Sequence, residues 1–183
     1  TVMEKVSALK EKPEFLAVVE YREKPVDFRS TPVVIGLDNL QDPANVGTVF
    51  RCAAAFGISS IALSGSSVNL NNSKFLRAAQ HSFLEIRWQR FETVEELIRA
   101  AREAGLNVYL TTSHGNGDVV TPGRIERPCL IVFGNEGKGL DKALLEKYPA
   151  VKISQEDKVE SLNVGVSACI IMYEVGLASG KLK

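Results

Sequence analysis

Three stretches of the 183-residue chain carry residues whose types and spacing suit chemistry. The first is Asp38-Asn39-Leu40-Gln41-Asp42-Pro43-Ala44-Asn45-Val46-Gly47, followed by Arg51. The second is Gly134-Asn135-Glu136-Gly137-Lys138-Gly139-Leu140, and the third is Val159-Glu160-Ser161-Leu162-Asn163-Val164-Gly165-Val166-Ser167. Ser161 and Asn163 are short polar side chains at the start of an apolar helix, where they can satisfy free backbone N–H groups. Gly165, Ser167 and Ala168 are small enough to admit another backbone or a flat ligand at that helix start. Gly134, Gly137 and Gly139 permit close backbone approach. Glu136, set between glycines, is not a usual turn residue. Arg51, in an otherwise apolar helix, offers a planar fork that grips a phosphate bidentately, or else a side chain that snorkels at the helix edge.

Several chemistries are disfavoured by what these stretches lack. No GxxxxGK[ST] or GxGxxG is present, so neither phosphate-loop signature applies. No GxSxG elbow supports a serine hydrolase. His81 and His114 stand far apart without ligand-spaced partners, so no metal site is expected. Cys52, Cys129 and Cys169 lie in apolar surroundings and form no metal-type pair. They read as small buried hydrophobes in a reducing, cytoplasmic setting.

The elements that must position these residues alternate between strand and helix. Val33–Leu37, Ser60–Ser64 and Cys129–Phe133 are apolar runs of the kind buried on both faces of a sheet. Asn107–Thr112 and Ala150–Ile153 are further strands, and Leu84–Trp88 is expected as a short one. Helices are expected from Asn45 to Phe56, closed by Gly57, over Lys74–His81, Thr93–Ala104 and Asp141–Tyr148, and from Ser161 to about 178. In the last of these the spacing of Leu162, Val166, Cys169, Tyr173 and Gly176/Leu177 marks the core face. Residues 113–127 read as a loop. The class is α/β with a parallel sheet flanked by helices, and ligands in such sheets sit outside the carboxyl ends of the strands. The loops 38–47, 134–140 and 154–163 all leave those ends.

Residues 1–31 look different. Val2–Lys12 has the pattern of a short helix, Phe15–Tyr21 that of a strand, and Arg22–Ser30 that of a charged connector. With Thr1 at the start, this segment reads as the remnant of an upstream domain plus linker, and residues 32–183 as the main domain. Lys plus Arg and Asp plus Glu number 22 each, so net charge gives no nucleic-acid signature. Apolar residues make up 45%, and no run approaches a membrane span.

Taken together the motifs resemble the SpoU branch of the SPOUT superfamily, the tRNA/rRNA ribose 2′-O-methyltransferases. The resemblance covers residues 33 to about 178 and rests on the three stretches in order, the second extended to Ile131-Val132-Phe133. It implies a C-terminal trefoil knot, which periodicity cannot show and which is otherwise essentially absent from proteins. It implies S-adenosylmethionine as methyl donor, no metal, and RNA as acceptor, either rRNA or tRNA at a nucleotide the sequence does not specify. The catalytic set so implied is Arg51, Asn45, Glu136, Ser161 and Asn163. The donor would be held by Gly134, Ile153, Leu162, Asn163, Thr111 and Gly139, mainly through backbone and apolar contact. Arg51, Lys74 and Arg77, with Arg87 and Arg90 nearby, form the expected RNA-facing set, whose contribution should depend on salt. One departure stands at Gln80 and His81, where small residues are common in the family; it bears on target contacts and not on the class.

The resemblance also implies a homodimer in which each site takes a residue from the partner; the helices 45–56 and 161–178 would supply the interface. The competing class is a non-catalytic RNA-binding paralogue of the same fold, against which the intact set of polar residues argues. Two roles for Arg51 follow. Related enzymes are thought to use this arginine as the base for the ribose hydroxyl, yet a guanidinium is effectively always protonated. An adjacent phosphate stabilises its charged form, which favours a role as phosphate anchor and stabiliser of the developing alkoxide.

Overall fold

The structure is a computed structural model that describes residues 20, 24–113, 115, 117–121, 123–156 and 158–177. The helix expected at 2–12 and His114 lie outside these residues, as does the strand expected at 15–21 apart from Glu20.

Seven strands form one sheet: β1 (Val33–Asp38), β2 (Ser60–Ser64), β3 (Arg87–Phe91), β4 (Asn107–Thr111), β5 (Asp118–Val119), β6 (Cys129–Phe133) and β7 (Ala150–Lys152). Their spatial order is β3-β2-β1-β6-β4-β7-β5, and every pairing is parallel. The helices are α1 (Pro43–Ala55), α2 (Ser73–Ala79), α3 (Ser82–Glu85), α4 (Val94–Glu103), α5 (Lys142–Lys147) and α6 (Val164–Leu177). The chain winds outward from β1 through β2 to β3, crosses to β4, and returns at β6 beside β1. The order therefore reverses between β1 and β6, the point where a crevice opens in such sheets.

Side-chain alternation along the strands divides the core in two. Val33, Ile35 and Leu37 of β1 join Ile131 and Phe133 of β6 under α1, α2 and α6. Val34 of β1 joins Leu130 and Val132 of β6 under α4 and α5. Strands covered on both sides are mostly apolar, and β1, β2 and β6 are buried at every position, with Asp38, Ser60 and Ser64 the polar residues at their ends. The Arg22–Ser30 connector is packed where it is described. Val26 is buried in the second core, the Trp88 N–H donates to the Lys24 carbonyl at 3.0 Å, and Phe28 meets Phe91 edge-on.

Several boundaries differ from the expectations. Asn45 does not open its helix. Asp42 does, its carboxylate accepting from the Ala44 N–H at 2.8 Å with Pro43 in the first turn, where a missing N–H is harmless. Lys74–His81 is not one helix: α2 ends at Ala79, and Gln80 turns the chain into α3. Leu84–Trp88 is not a strand, because α3 occupies its first half and β3 begins at Arg87. The 113–127 loop contains β5, paired with β7. Helix α4 matches its reading: the Thr93 hydroxyl accepts from the Glu96 N–H at 3.2 Å.

The largest correction concerns α6. Much of the stripe read as core faces outward: Val166 and Tyr173 are 48% and 45% exposed and Leu177 is exposed too, whereas Leu162 and Cys169 are half-buried and Gly176 is buried. The buried side is Ala168, Ile171, Met172 and Val175, which packs into the first core. A helix apolar on nearly all sides offers two candidate stripes, and only packing selects between them.

Candidate functional site

Beyond the carboxyl ends of β1, β6 and β7 the loops enclose a cavity of 910 Å³. Asn45 enters it from the first turn of α1. The loop after β6 contributes Gly134, Glu136 and Gly139, and the segment after β7 contributes Ile153, Ser161, Leu162 and Asn163. Thr111 closes one side from the end of β4. The structure thus brings together every predicted site residue except the RNA-facing set Arg51, Lys74, Arg77, Arg87 and Arg90.

The loop after β6 is folded tightly on itself. A Cβ at Gly134 would lie 2.5 Å from the Gly139 carbonyl carbon and the Leu140 nitrogen, and Gly139 has φ +68°. A side chain at 134 would have to move backbone, and the left-handed backbone at 139 favours glycine. The result is a glycine-walled groove that leaves its main chain close to whatever occupies the cavity.

Side-chain hydrogen bonds tie this loop to the other two. Glu136 Oε1 accepts from the Asp42 N–H at 3.3 Å and from Asn45 Nδ2 at 3.2 Å. Asn45 Oδ1 accepts in turn from Asn163 Nδ2 at 3.0 Å. Asn163 Oδ1 accepts from the Gly165 and Val166 N–H groups at 2.9 and 3.3 Å, which makes Asn163 the cap of α6. Ser161 lies ahead of the helix and is exposed. One continuous chain therefore links a carboxylate, two amides and the start of a helix, across segments more than 90 residues apart in sequence. Each donor and acceptor it uses is fixed in direction before any ligand arrives.

A second set of bonds lies beneath the first, and sequence reasoning missed it. Asn135 Nδ2 donates to the Asn39 carbonyl at 2.8 Å, while its Oδ1 accepts from the Gly137 and Lys138 N–H groups at 3.0 and 3.1 Å. Asn39 adopts φ +53°, a region in which asparagine is among the few tolerated residues. Its Oδ1 accepts from the Ser66 N–H at 3.0 Å and its Nδ2 donates to buried Asp38. Asn39 and Asn135 thus latch the loop after β6 to the loop after β1. The asparagines at the ends of two buried strands were the available signal.

Arg51 is elsewhere. It lies on the exposed face of α1, on the lining of a second cavity of 590 Å³ with Gln80, His81 and Glu85. It makes no hydrogen bond or salt bridge among the described residues. Lys74 and Arg77 are exposed on α2. Arg90 is committed structurally: its guanidinium donates to the Ser67 and Val68 carbonyls at 2.9 and 2.8 Å. Beside Arg51 the α1–α6 boundary is apolar, with Phe56 and Tyr173 in edge contact at 5.6 Å. Burial pushes the Cys52 thiol up to about 12, with neighbouring Cys169 adding to the rise and Arg51 opposing it. All three cysteines are free thiols. No helix among the described residues is long and apolar enough to cross a membrane.

Comparison with known proteins follows the same geometry. The model of the SpoU rRNA Methylase family matches residues 32–173. The chain is 34% identical over 139 residues to an uncharacterized tRNA/rRNA methyltransferase of Synechocystis, covering 75% of this chain and 50% of that protein. It is 35% identical over 143 residues to a 23S rRNA (guanosine(2553)-2′-O)-methyltransferase of Bacillus subtilis, covering 78% and 57%. The chain thus spans about half the length of these curated relatives. Among solved structures, an AdoMet-bound rRNA methyltransferase of Sinorhizobium meliloti superposes with a TM-score of 0.78 at 29% identity, over 90% of this chain and 63% of that one. The SpoU methyltransferase AviRb of Streptomyces viridochromogenes superposes with a TM-score of 0.76 at 26% identity, over 88% and 66%.

Proposed function

The chain belongs to the SpoU rRNA methylase family, and from that premise we propose that it is an S-adenosylmethionine-dependent methyltransferase acting on a ribose 2′-hydroxyl of rRNA or tRNA. The observation that carries this reading is the glycine-walled groove at Gly134, closed by the Glu136–Asn45–Asn163 chain at the mouth of the 910 Å³ cavity. A loop folded this tightly on itself, with its main chain lining the cavity, suits a nucleoside held by backbone groups. Gly134, Gly139, Thr111, Ile153 and Leu162 would hold the donor, with Asn163 at its edge. The donor, when bound, supplies an electrophilic methyl group on a sulfonium. The relatives and solved structures named above support both donor and acceptor.

The chain's own residues have three tasks. The Glu136–Asn45–Asn163 chain orients polar groups at the reacting edge, so the attacking hydroxyl finds fixed partners and the barrier falls through positioning. Arg51, charged, holds the phosphate beside the target ribose and stabilises the developing alkoxide; the hydroxyl proton leaves to water. The enclosing loops limit water at the transfer. The C-terminal knot belongs to this reading, supported by the packing of the 134–140 and 153–163 segments around one cavity. Cytoplasmic residence belongs to it as well, supported by the free thiols.

A homodimer completes the proposal, because Arg51 does not line the donor cavity of its own protomer. Val166, Ile170, Tyr173 and Leu177 form an exposed apolar stripe on α6, which packs against α1 with Phe56 and Tyr173 in edge contact. Glu174 Oε2 is buried with no hydrogen-bond partner among the described residues. A second copy seated here would cover the stripe and bring one protomer's Arg51 toward its partner's donor cavity. The test combines calorimetry with S-adenosylmethionine, ATP and NAD, sedimentation, and transfer of a labelled methyl group to rRNA and tRNA transcripts. Binding of NAD but not of S-adenosylmethionine would overturn the enzymatic reading, and a monomer at micromolar concentration would overturn the composite site.

A further inference from the structure

The second cavity holds polar side chains that the chemistry above does not use. Its inner wall is apolar: Ile58, Ala79 and Ile86 are buried. Its rim is polar and exposed: Arg51, Gln80, His81 and Glu85. Neither the Gln80 amide nor the His81 ring nor the Arg51 guanidinium makes a side-chain hydrogen bond among the described residues. An apolar floor with a few unspent, directional polar groups is the makeup of a site for a flat heterocycle, and its 590 Å³ is ample for one.

Gln80 is also held in a conformation it does not favour. Its φ is +54° and its ψ is −136°, a combination at which glycine is at ease and a side chain is strained. Packing imposes this geometry. A Cβ at Gly47 of α1 would lie 2.5 Å from the Ala78 Cβ and 2.9 Å from the Ala79 nitrogen, so α2 is pressed against α1 up to its last residue. The chain must then reverse within one residue to start α3. Local contacts do not repay the strain, because the Gln80 side chain forms none. A role toward an external ligand does.

We propose that the turn Gln80–His81 is a base-reading subsite for an unpaired RNA nucleotide adjacent to the methylated one, with Arg51 taking the phosphate between them. This rests on the methyltransferase reading and names the acceptor contacts of that site. Unpaired RNA bases are recognised by stacking on rings such as imidazole and by hydrogen bonds along their edges. His81 supplies the ring. Gln80 supplies one acceptor and two donors on one planar group. Glu85 on the same lining repels a second phosphate, so the cavity takes the base and Arg51 takes the charge.

The test compares wild type with Gln80→Gly and His81→Ala in the whole protein, using labelled S-adenosylmethionine and unmodified rRNA and tRNA transcripts. Gln80→Gly relieves the strain, so it should fold and melt about 3 °C higher. S-adenosylmethionine affinity should be unchanged in both variants. Their kcat/KM for the preferred transcript should fall about 10-fold through KM for RNA. Changing the neighbouring base should slow the wild type by a similar factor and leave Gln80→Gly indifferent. An active wild type whose Gln80→Gly variant keeps both its RNA KM and its base preference would overturn the subsite alone. A wild type that binds S-adenosylmethionine and methylates none of the transcripts would overturn the subsite together with the RNA reading.

Discussion

The two ends of helix α1 are built on opposite plans. At its start Asn45 is tied on both sides, donating to Glu136 and accepting from Asn163. Near its other end Arg51 is exposed, and the turn beside it is strained and unspent. The first end is finished by the protomer's own loops. The second end is finished by something else. In a two-substrate transfer that division has a physical reason. A small donor of fixed shape is met well by a pre-set groove, whereas a long flexible acceptor is met by groups that gain their partners on binding.

Arg51→Lys should break the open end with the largest effect. Lysine keeps the charge and loses the planar fork, so a phosphate is no longer held in one orientation. A fall in kcat of about 100- to 1,000-fold is expected, with S-adenosylmethionine affinity unchanged by calorimetry. A near-native rate that rises with pH would instead assign Arg51 the role of base.

Gly134→Ala should break the locked end. The added methyl meets backbone at 2.5 Å, so the loop after β6 must shift by about an ångström. Displacement of that order weakens a positioned site about 100-fold. Calorimetry should show the loss in donor affinity, while RNA binding at the open end stays as it was. Equal losses in both would mean that the two ends are not separable.

Asn135→Asp sharpens the same division with a smaller effect. The substitution keeps an acceptor for Gly137 and Lys138 but sets a carboxylate oxygen against the Asn39 carbonyl, where an amide now donates at 2.8 Å. An unmade bond of this kind is worth about 1–3 kcal/mol. Donor affinity should fall about 10-fold. The RNA KM should not move, which separates a latch on the donor loop from general destabilisation.

The locked end was largely legible in the sequence and the open end was not. Buried strands such as Cys129–Phe133 announce themselves as unbroken apolar runs, and the polar loops that leave them could be placed at one sheet edge from that fact alone. What escaped depends on side chains reaching across the fold. Asn135 reaches the Asn39 carbonyl over 96 residues, a contact no local pattern encodes. Arg51 was within reach of arithmetic: six residues (51 − 45) past Asn45 is about 1.7 turns, which sets the two on different faces of α1. On α6, Ile170 and Ile171 are neighbours of equal hydropathy, yet one is exposed and the other buried. Composition cannot rank them, because the outer stripe is as apolar as the core.

The smallest expected effect lies under the locked end, in the pH dependence of stability. Cys129 of β6 is fully buried between β1 and β4, and burial pushes its thiol from the ordinary 9.0 up to about 12, against a small opposing pull from Arg127. The unfolded chain therefore releases this proton near pH 9 while the folded chain keeps it. Stability from this group is intact below about 9 and is lost as pH rises toward 12. Denaturant melts of wild type and Cys129→Ala should differ by a constant below pH 9 and converge above it as the wild type loses its advantage. The gap should not depend on protein concentration, because Cys129 lies inside the protomer. Cys52, beside Arg51 at the α1–α6 boundary, is raised in the same direction. Its contribution should grow with concentration if a second copy covers that face, and parallel behaviour of the two thiols would remove the distinction between a closed interior and an open boundary.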